Sequence, residues 1–283
     1  MKIERTDLPP YRHRLLLAGA AALGTAVPAF SAPSAAADGP ARPHPHEGRP
    51  TIVLIHGAFA DASSWNAVVE RLQRRGHHVL APAVPLRGLT SDAAYIGSVL
   101  DTVPGPIVLV GHSYGGSVIS LAAAGRPRVK ALVYIAAFVP EIGESALELT
   151  DKYPGSTLAQ ATSAQYYPLP GGGQGEELVI EKKLFREQFA AGVPITTAQV
   201  MALGQRPIAL AALREKATTA AWKKIPSWYL VATEDRNIPP VAEQWMAERA
   251  GAHTIRVRAP HAVAVSDPSP VTELILRAVR STR

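Results

Sequence analysis

From Thr51 onward, short runs of β-branched and aliphatic residues alternate with longer stretches whose apolar positions recur at helical spacing. Uninterrupted apolar runs bounded by turn residues mark strands buried on both faces. A strand–helix–strand rhythm predicts a parallel sheet with helices on both sides. The expected strands are Thr51 to Ile55, His78 to Ala81, Pro106 to Val110, Lys130 to Ala136, Ser227 to Val231 and Thr254 to Arg258. Helices are expected over Ser64 to Arg75, with Asp61 or Ser63 near its N-cap, then Ser91 to Val103, Gly115 to Ala124, Val241 to Ala250 and Pro270 to Arg280.

The rhythm breaks between about Val139 and Trp222, where helical patches such as Glu181 to Phe189 and Thr196 to Leu203 occur without a core-type strand. An insertion between two sheet strands follows, expected as a helical cap over the strand ends. Its run Gly171, Gly172, Gly173 lacks a preceding strand and a following Lys-Ser/Thr, so it reads as a flexible loop and not a phosphate cradle.

Ahead of this domain the pattern changes. Lys2, Arg5, Arg12 and Arg14 precede an uncharged run from Leu15 to Phe30, and Ala35, Ala36 and Ala37 offer a small-residue cleavage site. Residues 1–37 therefore read as a cleaved secretory signal, the run from Leu15 to Phe30 being too short and too broken by Gly19, Gly24 and Pro28 for a spanning helix. Residues 38–50 form a Pro-rich, polar lead-in, and 51–283 the folded domain with its cap at about 139–222. Its His44 and His46 read as solvated side chains and not metal ligands. Zero cysteines exclude thiol nucleophiles and thiolate metal sites, while a domain of this length needs no disulfide staples. The formal charge of +6 is mild and scattered, which argues against nucleic acid as a partner.

Candidate chemistry enters at Gly111-His112-Ser113-Tyr114-Gly115, a G-x-S-x-G pattern between a strand and a helix. Such a turn strains the serine backbone, and the small residues around it let strand and helix approach. Ser113 is the expected nucleophile. His56-Gly57-Ala58-Phe59 follows the first strand, where this arrangement supplies a backbone N–H to an oxyanion hole. The expected donors are Ala58 and Tyr114, with Phe59 replacing Ala58 if the loop is shifted by one. Placing the nine histidines by context leaves His261, after the last strand, as the base. Two carboxylates, Glu234 and Asp235, stand at the end of the strand before it. Asp235 is the preferred acid, with Glu234 the alternative and Asp267 assigned to capping the final helix.

The segments VLIHGAFADASSW, VGHSYGG, VATEDRNIPP and PHAVAVSDP resemble the α/β-hydrolase superfamily, in the branch of plant methyl-ester esterases, hydroxynitrile lyases and small bacterial hydrolases. The resemblance covers about residues 51–280. It implies a mostly parallel twisted sheet with helices on both faces, the triad Ser113, Asp235 and His261, and the insertion as a cap. Ala259-Pro260 stands where Gly-Ser or Ser-Ser is more usual. The plant lyases carry a threonine and a lysine where this chain has Gly57 and Ala262, which favours hydrolysis of a small-molecule ester, without metal or organic cofactor, over cyanohydrin cleavage. Cofactor-free peroxidase chemistry on the same triad and a non-catalytic binding role are the remaining alternatives. An Asp would be needed at position 113 for epoxide or haloalkane chemistry. Tyr153, Tyr166, Tyr167, Phe185 and Phe189 are candidates either for an aromatic pocket or for the cap's own core.

Export is expected to cleave after Ala37, leaving Asp38 as the mature N-terminus, and N-terminal sequencing of secreted protein tests this. A terminus upstream of Leu15 would rule the signal out.

Overall fold

The computed structural model describes residues 48–282. The signal expected at 1–37, with most of the lead-in, lies outside the described residues. The chain enters the sheet at β1 (Thr51–Ile55). A 3-10 turn over Ala62–Trp65 follows, opened by the Asp61 carboxylate accepting from the Ser63 N–H at 2.7 Å. Because that turn takes up the first residues of the expected helix, α1 begins later, at Asn66, and runs to Arg74. Next come β2 (Val79–Leu80), α2 (Leu89–Thr102), β3 (Ile107–Ser113), α3 (Tyr114–Ala122) and β4 (Val129–Ala137). Strand β3 outruns its expected end at Val110 because its last three residues, Gly111 to Ser113, lack the apolar signal yet still pair with β4.

The insertion carries α4 (Ala146–Asp151), α5 (Leu158–Ala161), β5 (Thr162–Pro168), β6 (Gln174–Ile180), α6 (Lys182–Gln188), α7 (Ile195–Gly204), β7 (Ile208–Ala209) and α8 (Leu210–Arg214). The helical patches are there, but β5, β6 and β7 also form a three-stranded antiparallel sheet that the sequence pattern does not announce. The reason is burial: most of β5 is exposed and its sequence, TSAQYYP, has no apolar alternation. Gly171, Gly172 and Gly173 turn the β5–β6 hairpin, all at positive φ. Gln205 ties the hairpin to α7, accepting from the Ile180 N–H at 2.9 Å and donating to the Ile180 carbonyl at 2.8 Å.

The main sheet resumes with β8 (Ser227–Ala232), followed by α9 (Pro240–Arg249), β9 (His253–Val257), α10 (Val263–Ser266) and α11 (Pro268–Ser281). Asp267 stands at the start of α11 but makes no side-chain cap. The strand order is β2-β1-β3-β4-β8-β9, every pairing parallel. Successive side chains point to opposite faces of a strand, so β1 feeds two cores. Ile52 and Leu54 join Trp65, Leu72 and the apolar side of α11, while Val53 and Ile55 join α2, α3 and the insertion. Each such fully buried aliphatic side chain contributes about 2 kcal/mol.

The tightest packing lies where β3 passes into α3. A Cβ on Gly115 would stand 2.5 Å from the Ile55 carbonyl oxygen, and one on Gly111 would stand 2.6 Å from that of Gly115. Gly115→Ala is expected to destabilise the fold by about 2 kcal/mol or more and to lower the urea midpoint. Gly204→Ala, whose new Cβ meets nothing within 4 Å, is the control and should leave the midpoint in place.

Candidate active site

Ser113 ends β3 and immediately precedes α3 at φ 54° and ψ −125°, a backbone conformation that L-residues rarely adopt. Phe59, with φ 59°, and Ala136, with φ 43°, share this property after β1 and near the end of β4. Backbone strain of this kind costs on the order of 1–3 kcal/mol per residue and persists only where packing over-determines it. Here the packing is the glycine approach already described. It includes Gly57, where an added Cβ would lie 2.6 Å from the Ser113 Cβ and 3.2 Å from its Oγ.

The Tyr114 amide opens α3, where the first N–H groups have no intrahelical acceptor. Its side chain anchors the turn from below, with the hydroxyl donating to Asp92 Oδ2 at 2.9 Å. Burial pushes the Asp92 pKa up, and the bond from Tyr114 and nearby backbone N–H groups only partly offset this. Ala58, Phe59, Ser113 and Tyr114 all line one cavity. The N–H of Phe59 is committed to the Arg206 carbonyl at 3.1 Å. That commitment leaves the Phe59 N–H unavailable to a ligand in the cavity.

Three buried histidines surround this turn in different states. His56 Nε2 accepts from the Val84 N–H at 2.8 Å, so its proton sits on Nδ1, which donates to the Gly57 carbonyl at 2.9 Å. The ring is a neutral strut within the loop, its pKa lowered first by burial. His112 Nε2 faces the His261 carbonyl at 2.9 Å and must donate to it. Burial and the neighbouring His261 bring the His112 pKa down to about 3. His261 lies with its ring centroid 4.7 Å from that of His112, and the Phe189 ring meets it edge-on at 5.1 Å. Its Nδ1 donates to Asp235 Oδ2 at 2.5 Å, leaving Nε2 as the lone-pair nitrogen of the neutral ring.

Asp235 Oδ1 accepts from the N–H groups of Asn237 at 2.6 Å and Ile238 at 3.0 Å. Burial opposes its charge, but His261 and these donors hold the carboxyl below the usual carboxylate range. Glu234 turns the other way, accepting from Arg258 Nε at 2.6 Å on the exposed side. Neighbours in a turn point apart, and only the geometry shows which one meets the imidazole.

The cavity measures about 290 Å³. Its far wall comes from the insertion, with Leu147, Asp151, Leu158, Gln160, Leu178 and Leu213. None of the five aromatic residues considered from the sequence lines it. Tyr166 is exposed, Tyr153 packs on Trp245, Arg87 covers Tyr167, and Phe185 and Phe189 are core. The insertion residues that shape its far wall were not legible beforehand, because Leu147 and Leu158 sit on short helices whose direction depends on the whole insertion.

The model of the alpha/beta hydrolase family matches residues 52–274. The alpha/beta hydrolase nvfD of Aspergillus novofumigatus is 26% identical over 81% of this chain and 96% of its own length. Methylesterase 1 of Arabidopsis thaliana is 23% identical over 70% of this chain and 82% of its own. The crystal structure of polyneuridine aldehyde esterase superposes with a TM-score of 0.71 at 20% identity, covering 81% of this chain and 98% of that one, a likeness of fold.

A buried neutral histidine makes stability fall on acidification. The unfolded chain takes up His112's proton near 6.5 and the folded chain only near 3, so the contribution is complete above 6.5 and drains away below it. The expected loss from this residue is about 2–3 kcal/mol between pH 6.5 and 4.5. His112→Gln can still donate to the His261 carbonyl but cannot titrate, so its Tm should fall less over that interval. Parallel Tm curves for the two proteins would refute this account of acid sensitivity.

Proposed function

This chain belongs to the alpha/beta hydrolase family, and from that premise we propose that it is an exported carboxylesterase acting through Ser113, His261 and Asp235. The observation that carries the reading is the Nδ1–H bond from His261 to the buried Asp235, together with a serine held at positive φ directly after His112, whose ring lies 4.7 Å from that of His261. That bond fixes the tautomer in which Nε2 can accept a proton.

In the proposed reaction Ser113 Oγ attacks the ester carbonyl carbon while His261 Nε2 takes the hydroxyl proton. The tetrahedral oxyanion is held by the N–H groups of Ala58 and Tyr114, which need no reorganisation because the loop and the helix start are already rigid. Collapse breaks the bond to the alkoxy oxygen, to which His261 returns the proton, leaving an acyl-serine. Water, activated by the same imidazole, then releases the acid and restores the serine. Asp235 stays ionised throughout and stabilises the transient imidazolium.

Small to medium uncharged esters suit the cavity. Its size of about 290 Å³ and walls such as Phe138, Leu147, Leu158 and Leu213 favour apolar groups, and the Asp151 carboxylate disfavours anions. The names of the esterase relatives point the same way. The chemistry supplied by Ser113 and His261 requires no metal, so activity should survive a strong chelator. With Gly57 and Ala262 offering no hydroxyl and no cation beside the leaving group, cyanohydrin cleavage should be negligible next to ester turnover.

Ser113→Ala should lower kcat by several orders of magnitude and abolish fluorophosphonate labelling while the fold persists. Asp235→Asn should cost roughly 10³–10⁴ in kcat, and Glu234→Gln little. A panel of aryl and alkyl esters graded in acyl length, run beside a cyanohydrin, checks both reaction and range. Full activity in Ser113→Ala, or cyanide release faster than the best ester, would overturn the assignment.

A further inference from the structure

Behind Asp235 lies a second carboxyl group that the proposed reaction does not use. Glu243, on the first turns of α9, is 0% exposed. Its Oε2 accepts from the N–H of Ala232, the last residue of β8, at 2.9 Å. Its other oxygen, Oε1, is buried and meets no donor, and Asp235 is fastened to the same residue, its N–H donating to the Ala232 carbonyl at 3.2 Å, so that the two carboxyl groups form an interacting pair. Two carboxylates so paired cannot both be ionised away from water, and a proton on one converts repulsion into a hydrogen bond.

Which of the two carries the proton follows from their neighbours. Asp235 receives three donors, the Nδ1–H of His261 and the N–H groups of Asn237 and Ile238, all of which favour its anion. Glu243 receives one, from Ala232. We propose that Glu243 is a positioning residue, kept as a neutral acid that donates a fourth hydrogen bond to Asp235 and so holds that carboxylate against the imidazole. Burial first, then the charge of Asp235, pushes the Glu243 pKa well above the ordinary glutamate value, in line with this assignment. From α9, Glu243 reaches the end of β8 with Oε2, so it also ties the start of the acid-bearing turn, Thr233 to Pro239, to the helix behind it. It does not line the cavity. Its influence therefore reaches the reaction through Asp235 and His261, and falls on kcat and not on KM.

This inference rests on the triad reading, and its test separates the two. An infrared difference spectrum, wild type minus Glu243→Gln at pH 8, should contain the carbonyl band of a protonated carboxylic acid. Asp92, also pushed up by burial, contributes equally to both spectra and cancels. Glutamine keeps an acceptor for Ala232 and an N–H donor for Asp235, so Glu243→Gln should retain kcat within about threefold of wild type. Glu243→Leu removes both bonds and should lose at least about tenfold in kcat with little change in KM. Absence of the acid band means an ionised Glu243 and overturns the proposal, whatever the variants' folding. It is equally overturned if Glu243→Gln is as damaged as Glu243→Leu, or if Glu243→Leu is as active as wild type. Failure of fluorophosphonate to label Ser113 would instead remove the serine-hydrolase reading, leaving the infrared result on the carboxyl pair to stand by itself.

Discussion

The backbone of Ser113 sits at a left-handed φ that strand and helix both avoid, and the surrounding architecture is arranged so that the chain has nowhere else to go. Strand β3 is gripped on both sides, by β1 up to Gly111 and by β4 up to Ser113 itself, while α3 must begin at the next residue. Only glycine permits the resulting approach of α3 to the end of β1 and of the Gly57 loop to Ser113. Strain is tolerable there because it is small beside the apolar burial of two cores, and relieving it would separate a helix from a sheet.

Around that turn, burial sorts ionisable groups by what surrounds each. His56 and His112 are stripped of water and act as neutral hydrogen-bonding struts, one inside the Gly57 loop and one under the His261 backbone. Asp235 is equally buried but collects donors, so it carries the one well-supported negative charge behind the imidazole. The contrast with Glu234, one residue earlier and paired with exposed Arg258, shows how completely local geometry decides the fate of like side chains.

Much of this was legible in the sequence wherever a residue type has only one physical use. Glycines flanking a serine between an apolar run and a helical stretch admit few readings, and the strand-end positions of His261 and Asp235 follow from the period of the surrounding elements. What was not legible depended on contacts distant in the chain. The Phe59 N–H is committed by Arg206, far along the insertion, and nothing local signals it. The exposed strand β5 has no apolar alternation to announce it. Nothing beside Glu243 in the expected helix Val241 to Ala250 signals that its carboxyl is buried against the end of β8. Of the two uses the sequence left open for the insertion's aromatics, Phe185 and Phe189 take the core one, while Tyr166 faces solvent.

The imidazole hangs from the loop beyond β9, an edge strand of the sheet, and among the described residues that strand pairs only with β8. The serine turn, the Gly57 loop and the whole insertion precede it in the chain. In the proposed reaction His261 is thus the last of the three groups to be synthesised, and β9 must add to the sheet edge before its imidazole is aimed. On the proposed reaction, products that end before His261 lack the base, and catalytic competence is a late event of biosynthesis.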